Sequence, residues 1–222
     1  GIWRREAIEA AGGWQGDTLT EDFDLSYRTR FAGWRGEFLP RVAVPSELPA
    51  AWSALRSQQS RWARGSMQCA RKLLRPLWRC ELPLPVRLEG SIPLLANLAW
   101  PLVLLLIILS FPVFLLRQEL GLYTLFWIDL FYLFPASVAF FLFYFFIPRE
   151  ASPAIRAKDA LLALLLGIGL CPNNAVAVMK GLAGPVGVFV RTPKQGTSPR
   201  YQFAAAGRGL PMLMLQWALL LY

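Results

Sequence analysis

The sequence predicts an α/β piece joined to a membrane α-helical piece, and three observations carry that expectation. Charged residues make up 17% of the 222-residue chain, against roughly 25% in ordinary soluble domains, and the deficit falls after Glu89 and Gly90. Residues 92–116 and 122–147 are apolar runs, each long enough to cross a bilayer core of about 30 Å. Ahead of residue 49, helical patterns alternate with a short strand pattern, as they do in the tail of an α/β domain.

Composition also excludes. The chain is 55% hydrophobic with a mean hydropathy of +0.41, a net charge of +9 and an isoelectric point near 10.0. Such basicity raises nucleic acid as a partner. However, the Lys and Arg residues gather beside the apolar runs and no nucleic-acid motif is present, so the lipid bilayer is the better partner and no nucleic acid is expected. Histidine is absent, and Cys69, Cys80 and Cys171 are widely spaced with no CxxC pair. A zinc site and any Ser-His or Cys-His nucleophile pair are thereby removed. A general base must be a carboxylate, a lysine or a tyrosine. The chain opens on "GIWRREAIEAAGGW" without an initiator Met and stops within "LPMLMLQWALLLY". It is expected to be a piece of a longer protein.

Taken in order, residues 4–11 read as a short helix stopped by Gly12 and Gly13. The stretch "GDTLTEDFDLSYRTR" begins a second helix. Thr18 and Glu21 have capping-box spacing, Glu21, Asp22 and Asp24 are acids suited to a first turn, Phe23, Tyr27 and Phe31 recur at helical intervals, and the helix should end near Gly33. Two readings of the acidic cluster are open: a cap worth about 1 kcal/mol, or the carboxylate that performs chemistry. Residues 42–44 suggest a short strand bracketed by prolines. Residues 49–75 form a long basic helical pattern, with Trp52, Leu55, Trp62, Cys69 and Leu73 on one stripe and Arg56, Arg64, Arg71, Lys72 and Arg75 elsewhere. Tryptophans on a basic amphipathic helix beside a membrane segment suit the bilayer interface, although a surface helix of the soluble piece has the same pattern.

The two apolar runs are expected to form a transmembrane hairpin turning at Arg117, Gln118 and Glu119. Asp129, inside the second run, must face protein or lie near an interface, because a charge is costly in lipid. The next apolar stretch, residues 160–171, is short and meets Pro172, Asn173 and Asn174. Basic residues flank it, Arg156 and Lys158 before, Lys180, Arg191 and Lys194 after. With both flanks cytoplasmic, it should break into a re-entrant or interfacial helix pair. Residues 209–222 would begin a further span.

"QQSRW", residues 58–62, bears on the acidic cluster. Gln58, Arg61 and Trp62 stand at i, i+3 and i+4, so a helix presents them as neighbours. An arginine and an amide suit a diphosphate, and a tryptophan face suits a sugar ring. An Arg-Trp pair alone is also a common interfacial anchor.

Together, "GIWRREAIEAAGGW", "TED" at residues 20–22, "GW" at Gly33 and Trp34, "SELP", "QQSRW" and the hairpin resemble the membrane-integrated family 2 glycosyltransferases. The likeness is strongest to the cellulose-synthase-like group that contains plant glucomannan synthases and bacterial relatives. It runs through residue 75 and more loosely into the membrane region. The resemblance implies a GT-A nucleotide-sugar transferase fold, with Asp22 as the general base on the acceptor hydroxyl and Thr20 and Glu21 shaping the acceptor end. It also implies Gln58 and Arg61 on the donor diphosphate and Trp62 stacked on the acceptor sugar. "FVRTPKQG" is similar to the gating loop F-x-V-T-x-K: Phe189, Thr192 and Lys194 match, while Arg191 replaces the valine. Thr192 and Lys194 thereby become candidate donor contacts, against the plainer reading of a basic cytoplasmic loop. In this family Mg2+ or Mn2+ is held by an upstream D-x-D, expected before residue 1. "DFD" at residues 22–24 has that pattern in the wrong place, no metal ligand is expected in this stretch, and the fragment alone should be inactive. Asp24, two residues beyond the motif, is expected to show only a mild loss of turnover on replacement by Asn, compared with Asp22.

The expected division is then as follows. Residues 1–48 form the C-terminal part of the GT-A domain, residues 49–91 the interfacial helix and linker, and residues 92–147 the hairpin. Residues 148–208 form a cytoplasmic or re-entrant segment with the gating-like loop, and residues 209–222 start another span. The resemblance implies an inverting hexosyltransferase using UDP-glucose or GDP-mannose and extending a β-linked polysaccharide. It would sit in a bacterial inner (plasma) membrane with its catalytic domain cytoplasmic. A lipid acceptor, making a glycolipid, is the alternative; a transporter or channel subunit is the remote one.

Overall fold

A computed structural model of the chain describes residues 1–42, 44, 49, 51–146 and 153–189. Seven α-helices occur among them: α1 (Arg5–Ala10), α2 (Glu21–Phe31), α3 (Trp52–Arg79), α4 (Leu84–Leu95), α5 (Ala99–Glu119), α6 (Leu125–Phe146) and α7 (Pro153–Ala183). A single 3-10 turn, Ala96–Leu98, joins α4 to α5. No strand occurs among the described residues. Val42 and Val44 are irregular backbone, while Ala43 and residues 45–48 lie outside the description. The strand part of the expected α/β character is therefore not found here: a strand needs a partnered edge, and these residues provide none.

The chain divides into two compact units, Gly1–Leu102 with Asn173–Leu210, and Val103–Pro172 with Pro211–Tyr222. In the first, α3 is the axis. Ala63, Met67, Ala70, Leu73 and Leu77 of α3 share a core with Leu94 of α4 and Ala177 and Val178 of α7. Each large aliphatic side chain fully enclosed in such a core is worth about 2 kcal/mol, and Met67, Leu94 and Val178 are among them. Phe23, Tyr27 and Phe31 pack against this core as an edge-to-face ladder, with ring centroids 5.2 and 6.4 Å apart. Their i, i+4 spacing is the reason they stack. The Tyr27 hydroxyl donates to Gly90 O at 2.6 Å, tying α2 to α4.

Both short helices stop as the sequence suggests. After α2, Gly33 adopts φ +86°, and the N–H groups of Gly33 and Trp34 donate to Arg30 O and Thr29 O at 3.1 Å. These paired bonds satisfy carbonyls that the helix end leaves open. α1 closes in the same way at Gly12.

α3 departs from the interfacial pattern. Trp52 and Trp62, placed on the apolar stripe by sequence, are 40% and 47% exposed, whereas all of residues 65–70 are buried. A helix with one face in lipid would bury an arc, but the middle of α3 is enclosed by protein on every side. Small residues make this possible: Ala63, Gly65, Ser66 and Ala70 let neighbouring backbone come close. α3 also runs through Pro76 to Arg79, past the expected end at residue 75.

In the second unit, α5 and α6 carry their large apolar side chains outward, among them Leu105, Phe114, Phe126, Trp127 and Phe131. Arg117, Gln118 and Glu119 remain helical, and the reversal falls after them, with Gly121 at φ +66°. Arg117 pairs with Asp129, which accounts for a carboxylate inside an apolar run. Among the described residues, three helical stretches, Leu84–Glu119, Leu125–Phe143 and Ala157–Ala183, are long and apolar enough to cross a membrane.

The expected break at Pro172 is not made: α7 is one continuous helix through that residue. Pro172 and Asn174 are buried, and Asn173 donates to Arg56 O at 3.1 Å and to Asn174 Oδ1 at 3.1 Å. The polar groups that would have made a break necessary in lipid are turned to protein instead. Residues 209–222, expected to begin another span, lie outside the described residues.

Candidate active site

The acidic cluster at the start of α2 separates into two kinds of carboxylate. Asp24 is fully buried. Its oxygens lie 2.7 Å from Arg28 Nε and 2.9 Å from Lys72 Nζ. Lys72 also reaches Asp17 at 2.8 Å and Gln15 Oε1 at 2.6 Å, and Arg28 donates to the Ala11 and Gly13 carbonyls. One carboxylate thus fastens α1, α2 and α3 together. This burial between two cations runs against the expectation of a mild effect for Asn at Asp24: an uncharged group there would leave two cations with less than they need. Asp22, by contrast, is exposed, and its Oδ1 accepts the Phe23 N–H at 2.8 Å. Glu21 is half-buried.

The capping box is also corrected. Thr20, not Thr18, occupies the N-cap, and no side chain caps the helix. Thr18 is buried, two residues too early. The Thr20 hydroxyl instead lies 3.4 Å from Cys69 Sγ on α3. Burial pushes the Cys69 thiol pKa up, with the hydrogen bond to Thr20 pulling the other way. This thiol is a packing group in its neutral form.

Gly65 explains how the turn seats so closely. A Cβ at that position would fall 2.6 Å from Thr20 Cγ2, 2.7 Å from its Oγ1 and 2.9 Å from its backbone N. Only a residue without a side chain lets the Thr20 backbone lie directly on α3. Arg61, Trp62, Gly65, Cys69 and Lys72 stand 3, 4, 7, 11 and 14 positions after Gln58, all threes, fours or sums of these, and therefore share one face. "QQSRW" and the docking point of "TED" are consequently about one turn apart on a single helix face. Gln58 and Arg61 are half-buried there, and Trp62 is largely exposed.

A third segment joins the same helix. After α7 the chain runs as a strap, residues 184–189, antiparallel to α3. Arg71 donates to Gly181 O at 3.3 Å and Gly184 O at 3.4 Å, Arg64 to Pro185 O at 2.5 Å, and Gln68 to Val186 O at 3.0 Å. At Phe189, the last of the described residues, the ring lies 4.5 Å from the Arg61 guanidinium carbon, within cation–π range. Thr20, Arg61 and Phe189, from three separate sequence motifs, all contact or belong to α3. Thr192 and Lys194 lie outside the described residues.

Sequence reasoning missed Asp24, Gly65 and Gln68 as parts of this assembly. A glycine within a long helical pattern is a signal for close backbone approach, and that signal was present at Gly65. Nothing in the spacing singled out Gln68.

The Asp22–Asp24 pattern cannot hold a cation as a pair, because Asp24 is already committed to Arg28 and Lys72. Among the described residues no cluster of three His, Cys, Asp or Glu side chains could hold a metal ion. What the turn offers chemically is an exposed carboxylate, Asp22, at a helix N-terminus. On α3, the face on which Thr20 docks also carries a half-buried guanidinium, an amide and an exposed indole.

Comparison with known proteins adds an independent line. The family model described as glycosyl transferase family group 2 matches residues 2–151. Glucomannan 4-beta-mannosyltransferase 7 of Arabidopsis thaliana is 41% identical over 81 residues, covering 36% of this chain and 15% of that protein. Glucomannan 4-beta-mannosyltransferase 1 of Oryza sativa subsp. japonica is 43% identical over 79 residues, covering 36% and 15%. The Cyamopsis tetragonoloba enzyme of the same name is 40% identical over 90 residues, covering 40% and 17%. The matched stretch is thus about one sixth of the length of these relatives. No solved structure matches the chain.

Proposed function

The chain belongs to glycosyl transferase family group 2, and from that premise we propose that it carries the acceptor side of an inverting hexosyltransferase that extends a β-linked glycan at a membrane. The observation that supports this best is the docking of Thr20 on Gly65, which sets the Asp22 turn and Arg61 on one face of α3. In the proposed reaction Asp22 takes the proton from an acceptor hydroxyl as that oxygen attacks the anomeric carbon of a nucleotide-sugar. The bond from that carbon to the diphosphate breaks, and the leaving diphosphate keeps the electron pair. An inverting transfer of this kind needs one base on the acceptor and positive charge on the leaving group. Arg61 and Gln58 supply the second, with Thr192 and Lys194 as further donor contacts and Phe189 as the gating residue. Thr20 and Glu21 shape the acceptor end, and Trp62 offers a face to its sugar ring.

The relatives are named as glucomannan mannosyltransferases, which favours a mannosyl donor such as GDP-mannose over UDP-glucose. A divalent cation, Mg2+ or Mn2+, would supply charge neutralisation at the diphosphate. Its ligands are assigned to other parts of the enzyme, and no step above runs through it. The catalytic part is placed on the cytoplasmic side of the plasma membrane, where nucleotide-sugars are made.

The test uses membranes containing the full-length protein, given labelled GDP-mannose or UDP-glucose. Label in an alkali-insoluble polymer supports the proposal; label confined to a lipid extract would make the enzyme a glycolipid synthase instead. Asp22→Asn should cut turnover by about 10²- to 10⁴-fold, the range for a lost general base, while leaving nucleotide binding near the parent value. Turnover within threefold of the parent would remove Asp22 from the role.

A further inference from the structure

Gln68 is 6% exposed, and both ends of its amide are used. Its Oε1 accepts the Leu19 N–H at 2.9 Å, and its Nε2 donates to Val186 O at 3.0 Å. Leu19 is the residue before Thr20 and stands three before Asp22. Val186 stands three before Phe189, whose ring lies over Arg61. One buried side chain therefore bonds the backbone of the acceptor turn and the backbone of the strap at once.

We propose that Gln68 is a positioning residue that holds the strap at Arg61 and the Asp22 turn in one register, so that displacing either loosens the other. This rests on the roles proposed above for Asp22, Arg61 and Phe189. The chemistry of the side chain suits the task. A primary amide presents an acceptor at one end and a donor at the other without charge; Lys and Arg have no acceptor, and an ionised carboxylate has no donor. When the strap lifts, the Nε2 donor loses its partner in a buried place, which is costly. The strap-down state and the seated turn are thus favoured together. Arg64 and Arg71 hold the strap through the same kind of bond to main-chain oxygen, and the Cys69 thiol faces the Thr20 carbonyl. Gln68 bonds to both segments.

The experiment compares Gln68→Glu, Phe189→Ala and their combination in the full-length protein, with GDP-mannose and UDP-glucose as donors. Glu keeps an acceptor for Leu19 and loses the donor to Val186. Gln68→Glu should therefore raise KM for the nucleotide-sugar about tenfold, the equivalent of one hydrogen bond, with kcat within about threefold of the parent. In the Phe189→Ala background the same change should add less than about twofold to KM, because both act through the strap. KM unchanged in Gln68→Glu, a fall in kcat alone, or a full tenfold effect repeated in the double variant would each overturn the coupling. If Gln68→Glu aggregates on size exclusion, Gln68→Met replaces it. That variant loses both bonds, so KM should rise and kcat fall, and only the KM effect should vanish in the Phe189→Ala background; persistence of that effect overturns the proposal. Asp22→Asn is run alongside. If it is inactive while Gln68→Glu is silent, only the coupling falls. If Asp22→Asn turns over like the parent, the reading of the site falls and takes the coupling with it.

Discussion

The pairing of α2 with α3 and the hairpin of α5 with α6 each bring two helices side by side, by opposite means. Between α2 and α3 lie a buried carboxylate with two cations, a buried amide, and a backbone seated on a glycine. Between α5 and α6 there is a cavity of about 860 Å³ lined mostly by Leu, Ile, Val and Phe, with Arg117 and Asp129 as its ion pair. Directional contacts fix a backbone to a fraction of an ångström. A hairpin whose outer surface is apolar needs only a surrounding that does not compete for its backbone hydrogen bonds. The difference separates a region held by specific polar contacts from one defined by an apolar outer face.

The sharpest way to break that contrast is Asp24→Asn. Removing the charge between Arg28 and Lys72 should cost about 3 kcal/mol or more, read as a lower thermal midpoint of the detergent-solubilised protein. A loss no larger than that from a hairpin substitution would refute the contrast. Gly65→Ala comes next. The added methyl must push Thr20 away, at a cost of about 2 kcal/mol, and turnover should fall alongside stability because the Asp22 turn moves with Thr20. Full activity in Gly65→Ala would mean that the turn tolerates displacement.

Tyr27→Phe should cost about 1 kcal/mol through the lost bond to Gly90 and also alter the alkaline limb of stability. Burial, with Cys69 nearby, pushes the Tyr27 pKa up to about 12 from 10.0. The unfolded chain therefore gives up this proton first, and stability contributed by the neutral phenol is complete below pH 10 and declines from pH 10 to 12. Phe at this position should flatten that part of the decline; an unchanged slope would assign it to other groups. The smallest effect is expected from Asp129→Asn, below about 1 kcal/mol in detergent, because its pairing with Arg117 is partly exposed.

Much of this was readable from residue order alone, for identifiable reasons. α1, α2 and the hairpin announce themselves because local periodicity and a glycine stop are local properties. The centre of α3 did not, since its enclosure depends on residues 173–189, more than a hundred positions away, and small polar residues such as Ser66 and Gln68 look like a wet face until their neighbours are known. Asp24 was misjudged for a related reason: a carboxylate is usually exposed, and its cations come partly from a distant helix. Pro172, Asn173 and Asn174 looked like a break because an amide in lipid is costly, yet Asn173 finds Arg56 O. The grouping of "TED" with "QQSRW" was legible through the resemblance, but their common helix face became visible only once Gly65 was seen against Thr20.

The clasp on the strap has a consequence for how this segment can change over generations. Arg64, Gln68 and Arg71 hold it by main-chain oxygens at Gly184, Pro185 and Val186, a group that every amino acid possesses. These bonds do not read the side chain at Pro185 or Val186. The glycines are read: a Cβ at Gly184 would fall 2.7 Å from Lys180 O, and one at Gly187, where φ is +81°, would fall 2.6 Å from Arg64 Nη1. Drift along the strap is therefore confined to the positions around those two glycines, while its path over α3 stays fixed.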